Sequence, residues 1–299
     1  MNPESEVTGK TEARPSTFGM VGLGAMGGGM AQSLVAAGQQ VSGVDPDALA
    51  CERAAAAGVQ IHSELSTLLA ESGFVVICLA SPAALGEVYD MIANMPAERP
   101  AMVIETSTIA PDRAQAFADI SRASGRRHLE ACLIGLARDA EAGQLYHFVG
   151  GKTEDLEEAW DFLDATGRGH AHLGDIGAGA AAKVLNNAIG NATMLAFTEA
   201  VVAGETIGLD PVEFIRAVSE AAGAGKSVVF DRHAHWITSE SNQPPNPINR
   251  KDMLEWGRMV GEESSNFPIL AESLRRFRDF PKMPGFVQSY AGMLRLKKT

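Results

Sequence analysis

The chain has 299 residues, 45% hydrophobic and 21% charged, an ordinary globular balance that excludes global disorder and points to about two domains. Lys and Arg total 25 against 37 Asp and Glu, a net charge of −12 with no long basic run, so nucleic acid and an anionic membrane surface are not expected partners. The three cysteines, Cys51, Cys78 and Cys132, form no C-x-x-C, which argues against a disulfide framework or a Cys-rich zinc site and fits a reducing cytoplasm.

No run of about 18 apolar residues exists, so no spanning helix is expected. Residues 1–15 are polar, carry Glu4, Glu6 and Glu12, and have no apolar run; a flexible tail is expected there. Thr17–Val21 is short and apolar and reads as a buried strand, followed by a helix over Met26–Ala37 that Gly38 closes. Gln40–Val44 is a second strand ending at Asp45-Pro46, and Asp47–Ala57 a helix ending at Gly58. Phe74–Leu79 and Ala101–Glu105 are further strands, separated by a helix over Ala83–Asn94, and Pro111 opens another helix. Later strands are expected near His128–Leu133 and Tyr146–Gly150.

This alternation predicts an α/β fold with a parallel sheet covered on both faces over residues 16–175. The pattern then changes to a mainly α-helical domain over 176–299. It opens with one long helix, Ala178–Gly208, which is Ala-rich and free of Pro. Helices follow over Pro211–Ala222, after Ser227, and over Lys251–Glu263, Ile269–Asp279 and Gly285–Leu296, with a loop at Asn242–Asn249.

Gly22-Leu23-Gly24-Ala25-Met26-Gly27 lies between the first strand and the first helix. Gly22 permits the tight turn, Gly24 lets a pyrophosphate approach the backbone, and Gly27 lets helix and strand pack closely. The free N–H groups at the helix start then face the phosphates. Asp45, 18 residues after Gly27 at the end of the second strand, can accept hydrogen bonds from both ribose hydroxyls and would repel a 2′-phosphate. NAD is therefore favoured over NADP.

A second constellation sits on the long helix. Lys183 and Asn187 are four residues apart and project from one face of an Ala-rich surface. A lysine among small residues is partly desolvated, which lowers its pKa toward a range useful for acid/base work. Spacing alone equally allows a solvated lysine beside a surface Asn186-Asn187 pair.

Taken together these motifs resemble the β-hydroxyacid dehydrogenase family, which includes 3-hydroxyisobutyrate dehydrogenase and tartronate semialdehyde reductase. The resemblance runs from about residue 17 to the late Lys251-Asp252 pair, through the glycine motif, Ser107-Thr108-Ile109-Ala110-Pro111, and Gly177-x-Gly179-x-x-x-Lys183-x-x-Asn186-Asn187. It implies a doubly wound Rossmann domain, a long connecting helix and an all-α domain assembled as a homodimer or homotetramer. It implies a small-molecule substrate, Lys183 as general acid/base and Asn187 as the group that orients the substrate. It places Thr108 beside the nicotinamide, Lys251 at the cofactor or closing the cleft, and Leu79 and Ala80 along the cofactor, although many relatives have Leu-Pro where this chain has Leu79-Ala80.

One segment departs from the family. Relatives carry a Ser and two Gly that hold the substrate carboxylate, where this chain has Ile134, Gly135 and Leu136. Ile134 cannot donate a hydrogen bond, and losing a donor to a charged oxygen costs about 1.5–3 kcal/mol. A more apolar substrate pocket is expected, with Ser227 contributing from the second domain and Arg138 a solvated loop residue. Imine reduction on the same fold, or NAD binding without turnover, are the alternatives. The pairs His170/His172 and His233/His235 lack a third ligand at useful spacing, so no metal is expected. The acids Glu154, Asp155, Glu157 and Glu158 read as a solvated helix start.

Overall fold

The structure, a computed structural model, describes residues 17–96, 100–221 and 247–279. The expected tail, Ser227, the segment after it, His233/His235 and the expected helix Gly285–Leu296 lie outside the described residues. The chain divides into two compact units. One comprises the residues up to Ser107 together with Ala116–Ile176; the other comprises Thr108–Gln115 together with the residues from Gly177 on.

The first unit is built on eight strands: β1 Thr17–Val21, β2 Gln40–Val44, β3 Gln60–Ile61, β4 Phe74–Ile77, β5 Met102–Glu105, β6 Arg127–Ile134, β7 Leu145–Gly150 and β8 Gly167–His172. The helices up to β8 are α1 Ala25–Ala36, α2 Ala48–Ala56, α3 Leu65–Glu71, α4 Pro82–Asn94, α5 Pro111–Ala123, α6 Ala137–Glu141, α7 Thr153–Glu158 and α8 Trp160–Thr166, of which α5 begins in the second unit and continues in the first. The sheet order is β3-β2-β1-β4-β5-β6-β7-β8, so the chain reverses direction across the sheet between β1 and β4. Val75, Val76 and Ile77 of β4 are all fully buried, as a strand covered on both faces requires. Local signals set the helix starts: the Asp47 side chain accepts from Leu49 N–H, and Ser81 caps α4 with Pro82 in its first turn.

The expected doubly wound, mostly parallel sheet is present, with one antiparallel pairing. β7 runs antiparallel to β6, while β8 is parallel to β7. Only Gly135–Gln144 connects β6 to β7, shorter than the dozen or more residues that a parallel crossover needs. The longer link from β7 to β8 carries α7 and α8 and does permit one. Strands β3 and β8 and helices α3, α6 and α8 had no separate signal in the sequence, whereas the acid run does mark the start of α7. The acid run is corrected in part: Asp155 is buried and lies 3.7 Å from Arg127, which also pairs with Glu158. Burial pushes the Asp155 carboxyl above its ordinary range, with Arg127 opposing the rise.

The second unit contains α9 Ala178–Thr206, α10 Pro211–Ala221, α11 Pro247–Val260, a 3-10 turn over Gly261–Asn266, and α12 Pro268–Asp279. Helix α11 absorbs the last residues of the expected loop, because a proline fits the first turn of a helix, where its missing N–H costs nothing. Val184 and Ala188 of α9, Met253 and Trp256 of α11, and Leu274 and Phe277 of α12 form its core.

Two buried histidines give the first unit a pH dependence. Burial lowers His128 to about 3 and His147 to about 4. Both stay neutral in the folded chain but take up a proton on unfolding below an ordinary value near 6.5. Stability from these groups is therefore complete above that value and is lost as pH falls below it, by about 1.4 kcal/mol per pH unit for each histidine. Melting temperatures measured from pH 7.5 to 5 should fall more steeply for the native chain than for His128→Gln. Parallel curves would contradict this account.

Candidate active site

In the first unit, the loop after β1 is shaped by three glycines with different duties. Gly22 has φ +96°, and a Cβ on it would lie 2.4 Å from the Cys78 carbonyl oxygen. A Cβ on Gly27 would lie 2.0 Å from the Gly22 carbonyl oxygen, so α1 can follow β1 this closely only with glycine there. Gly24 is the opposite case: a Cβ there would meet nothing within 4 Å. Gly24 caps α1 without a side-chain hydrogen bond, and the first turn holds no acidic residue. The leading N–H groups, including those of Ala25 and Met26, have no carbonyl partner within the helix. This exposed end fits a diphosphate.

Asp45 follows β2. Its Oδ2 accepts from Leu23 N–H at 2.7 Å and its Oδ1 from Asp47 N–H at 2.8 Å. Two backbone donors thus fix the carboxylate, and each oxygen retains a second acceptor position. The Leu23 side chain itself is buried in the core against Gly43.

Leu79 and Ala80 follow β4. Leu79 N–H donates to Ser107 Oγ at 2.9 Å, and Ser107 N–H donates to Glu105 Oε1 at 2.7 Å. The second Glu105 oxygen accepts from the Tyr89 hydroxyl at 2.9 Å. Burial, then the Glu105 charge, pushes the Tyr89 hydroxyl well above its ordinary value, so it remains a donor. Glu105 is 1% exposed and links the loops after β4 and β5. Sequence reasoning passed over it, because a glutamate at the end of an apolar run reads as the edge of a strand. The features of β1, β2, β4 and β5 share the carboxyl ends of their strands at the reversal point, where open α/β sheets bind ligands.

Ile134 closes β6 and is half-buried, as is Leu136, while Gly135 between them has φ +147°. Leu136 N–H is already taken by Asp139 Oδ2 at 2.7 Å. Arg138 is solvated as expected, but it lies on the short helix α6 and not in a loop.

In the second unit, Ala180, Val184 and Ala188 form the buried stripe of α9, and Lys183 and Asn187 flank it half-buried. Asn186 is exposed. Asn187 Nδ2 donates to Asp252 Oδ2 at 2.7 Å. Asp252 is 4% exposed; burial pushes its carboxyl up, and the ammonium groups of Lys251 and Lys183 pull it back. Thr108–Gln115 belongs to this unit through α11: buried Glu255 accepts from Ala110 N–H at 2.8 Å and lies 3.6 Å from Arg113. Arg258 clasps Asp112 at 2.6 Å and holds its carboxyl below the ordinary range. Thr108, Lys183, Asn187 and Lys251 thus share one unit, and the glycine loop, Asp45, Leu79, Ala80 and Ile134–Leu136 share the other.

His170 meets Trp160 edge-on, and His172 bonds the Gly151 carbonyl at 2.8 Å. Among the described residues, no group of three His, Cys, Asp or Glu could hold a metal, and no helix is long and apolar enough to cross a membrane.

Residues 17–176 match the family model described as the NAD binding domain of 6-phosphogluconate dehydrogenase. Residues 177–275 match the NAD-binding domain of NADP-dependent 3-hydroxyisobutyrate dehydrogenase. Mitochondrial 3-hydroxyisobutyrate dehydrogenase of Drosophila melanogaster is 30% identical over 71% of this chain and 66% of that enzyme, a little under two thirds of its length. The Pseudomonas aeruginosa 3-hydroxyisobutyrate dehydrogenase is 34% identical over 68% of this chain and 69% of its own. The solved Mycobacterium tuberculosis 3-hydroxyisobutyrate dehydrogenase with L-serine superposes with a TM-score of 0.78 at 26% identity, over 95% of this chain and all of that one. A Streptomyces aurantiacus imine reductase shares the fold, with a TM-score of 0.63 at 19% identity over 95% of this chain and 100% of its own.

The two glycines should separate on substitution. Gly27→Ala should cost about 3 kcal/mol, roughly 6–12 °C in Tm, because backbone must move. Gly24→Ala should cost no more than about 1 kcal/mol, yet weaken NAD(P)H binding about tenfold in a fluorescence titration. Equal effects on Tm would refute this division of duties.

Proposed function

The chain belongs to the β-hydroxyacid dehydrogenase family, and from that membership we propose that it transfers hydride between NAD(H) and a β-hydroxy acid or the matching semialdehyde, with Lys183 as general acid/base. The observation that carries the reading is the half-buried Lys183 beside Asn187, whose amide is held by buried Asp252. In this reading Gly22, Gly24, Ala25, Met26 and Gly27 hold the diphosphate, and Leu79 and Ala80 flank the dinucleotide. Asp45 takes the ribose diol. Its fixed carboxylate would face the extra phosphate of NADP, which supports NAD as the preferred cofactor. Bound nicotinamide supplies the hydride acceptor in oxidation and the donor in reduction.

Lys183 as a free amine takes the hydroxyl proton during oxidation. As ammonium it returns a proton to the carbonyl oxygen during reduction. Asn187 uses one amide hydrogen on Asp252 and keeps the other for a substrate oxygen, so it orients without changing charge. Thr108 and Lys251 contribute from the same unit. Ile134, Gly135 and Leu136 offer an apolar edge, because Ile134 has no donor and the Leu136 N–H is engaged. That edge favours imine reduction as the second reading. Turnover of a cyclic imine with none of any hydroxy acid would establish it. A homodimer or homotetramer belongs to the leading reading; exposed Leu185 and Ile189 on α9 and Ile207 beyond it supply apolar surface for such a contact.

Lys183→Met should lower kcat at least about 100-fold while leaving the NADH dissociation constant unchanged. Retained turnover would remove Lys183 from the mechanism. Asp45→Ser should shift the kcat/KM ratio toward NADP by about tenfold, through loss of repulsion and of the diol contact. An unchanged ratio would show that Asp45 does not select the cofactor.

A further inference from the structure

Asp252 is an expensive residue to bury. It is 4% exposed, one oxygen accepts from Asn187, and the other, Oδ1, has no hydrogen-bond partner among the described residues. An unsatisfied buried acceptor is destabilising, and more so on a charged group, so stability does not explain a carboxylate here. The surrounding charges do. Lys183 on α9 and Lys251 on its own helix both act on it. Glu255, one turn further along α11, is engaged by Ala110 N–H and Arg113. Asp252 is also acceptor-only when ionised, so it fixes which end of the Asn187 amide faces it. Asn186 Nδ2 reaches Asn187 Oδ1 from the other side at 3.3 Å, consistent with that orientation.

We propose that Asp252 is the positioning residue of the Lys183–Asn187 pair, orienting the Asn187 amide and holding Lys183 toward its ammonium form. This rests on the proposed role of Lys183 and adds a second duty for one carboxylate. Orientation needs only an acceptor, which an amide can replace. Proton affinity needs the charge, which an amide cannot replace.

The test reads Lys183 without turnover. The intact protein is acylated with acetic anhydride across pH 6 to 11, and Lys183 labelling is followed by peptide mass spectrometry. Asp252→Asn and Asp252→Ser should both lower the labelling midpoint by about one pH unit, as loss of a nearby charge predicts, with Asp252→Glu close to native. Melting curves confirm that each variant is folded, and the serine variant serves if the asparagine one is not. Unchanged midpoints in folded neutral variants would overturn the proposal. The pH profile of carbonyl reduction should shift down in parallel, with Asp252→Asn keeping a near-native KM and Asp252→Ser raising it. A shifted labelling midpoint beside an unshifted rate profile would instead count against Lys183 as the general acid, leaving the electrostatic assignment in place.

Discussion

The dinucleotide end of this protein depends on a contact that no side chain could survive. Helix α1 starts where β1 ends because a Cβ at residue 27 would stand 2.0 Å from the Gly22 carbonyl oxygen. That closeness points the first turn of α1 along the carboxyl edge of the sheet. Everything nearby is arranged around it. Leu23 anchors the loop in the core, and its N–H fixes Asp45. The Glu105–Ser107–Leu79 chain of hydrogen bonds then ties the neighbouring strand ends into the same rigid edge. An anion-binding helix end is useful only if its donors are held still, because preorganised donors need no rearrangement when the ligand arrives.

The second unit is organised by buried carboxylates. Asp252 and Glu255 are three residues apart on α11 and both nearly inaccessible. Glu255 uses its charge to fix the segment Thr108–Gln115 through Ala110 N–H and Arg113, and the exposed Asp112–Arg258 pair adds a second tie. Asp252 uses its charge on the α9 side, toward Asn187 and Lys183. One helix thereby serves two partners with two acids. This explains why the segment after β5, though continuous with the sheet, groups with the helices.

The edge after β6 shows how local changes alter a site without altering the fold. Ile134 and Leu136 stand where the resemblance implies a Ser and a Gly, and the strand still ends in a turn at Gly135 with φ +147°. The Leu136 N–H is satisfied within the chain by Asp139.

Much of this was written in the local sequence. The strand–glycine–helix pattern, the acid at the end of β2, the i, i+4 spacing of Lys183 and Asn187, and the long α9 all follow from short-range periodicity and turn chemistry. Those signals act within a few residues, so they survive in the linear string. The antiparallel entry of β7, the burial of Asp155, the Glu105–Tyr89 link and the transfer of Thr108–Gln115 to the helical unit were decided by tertiary structure. So was the Asn187–Asp252 bond, which joins residues 65 positions apart. Each depends on which surfaces meet and which polar groups lose water. Neither composition nor periodicity records that, because desolvation and partner choice are properties of the folded contact and not of the residue alone.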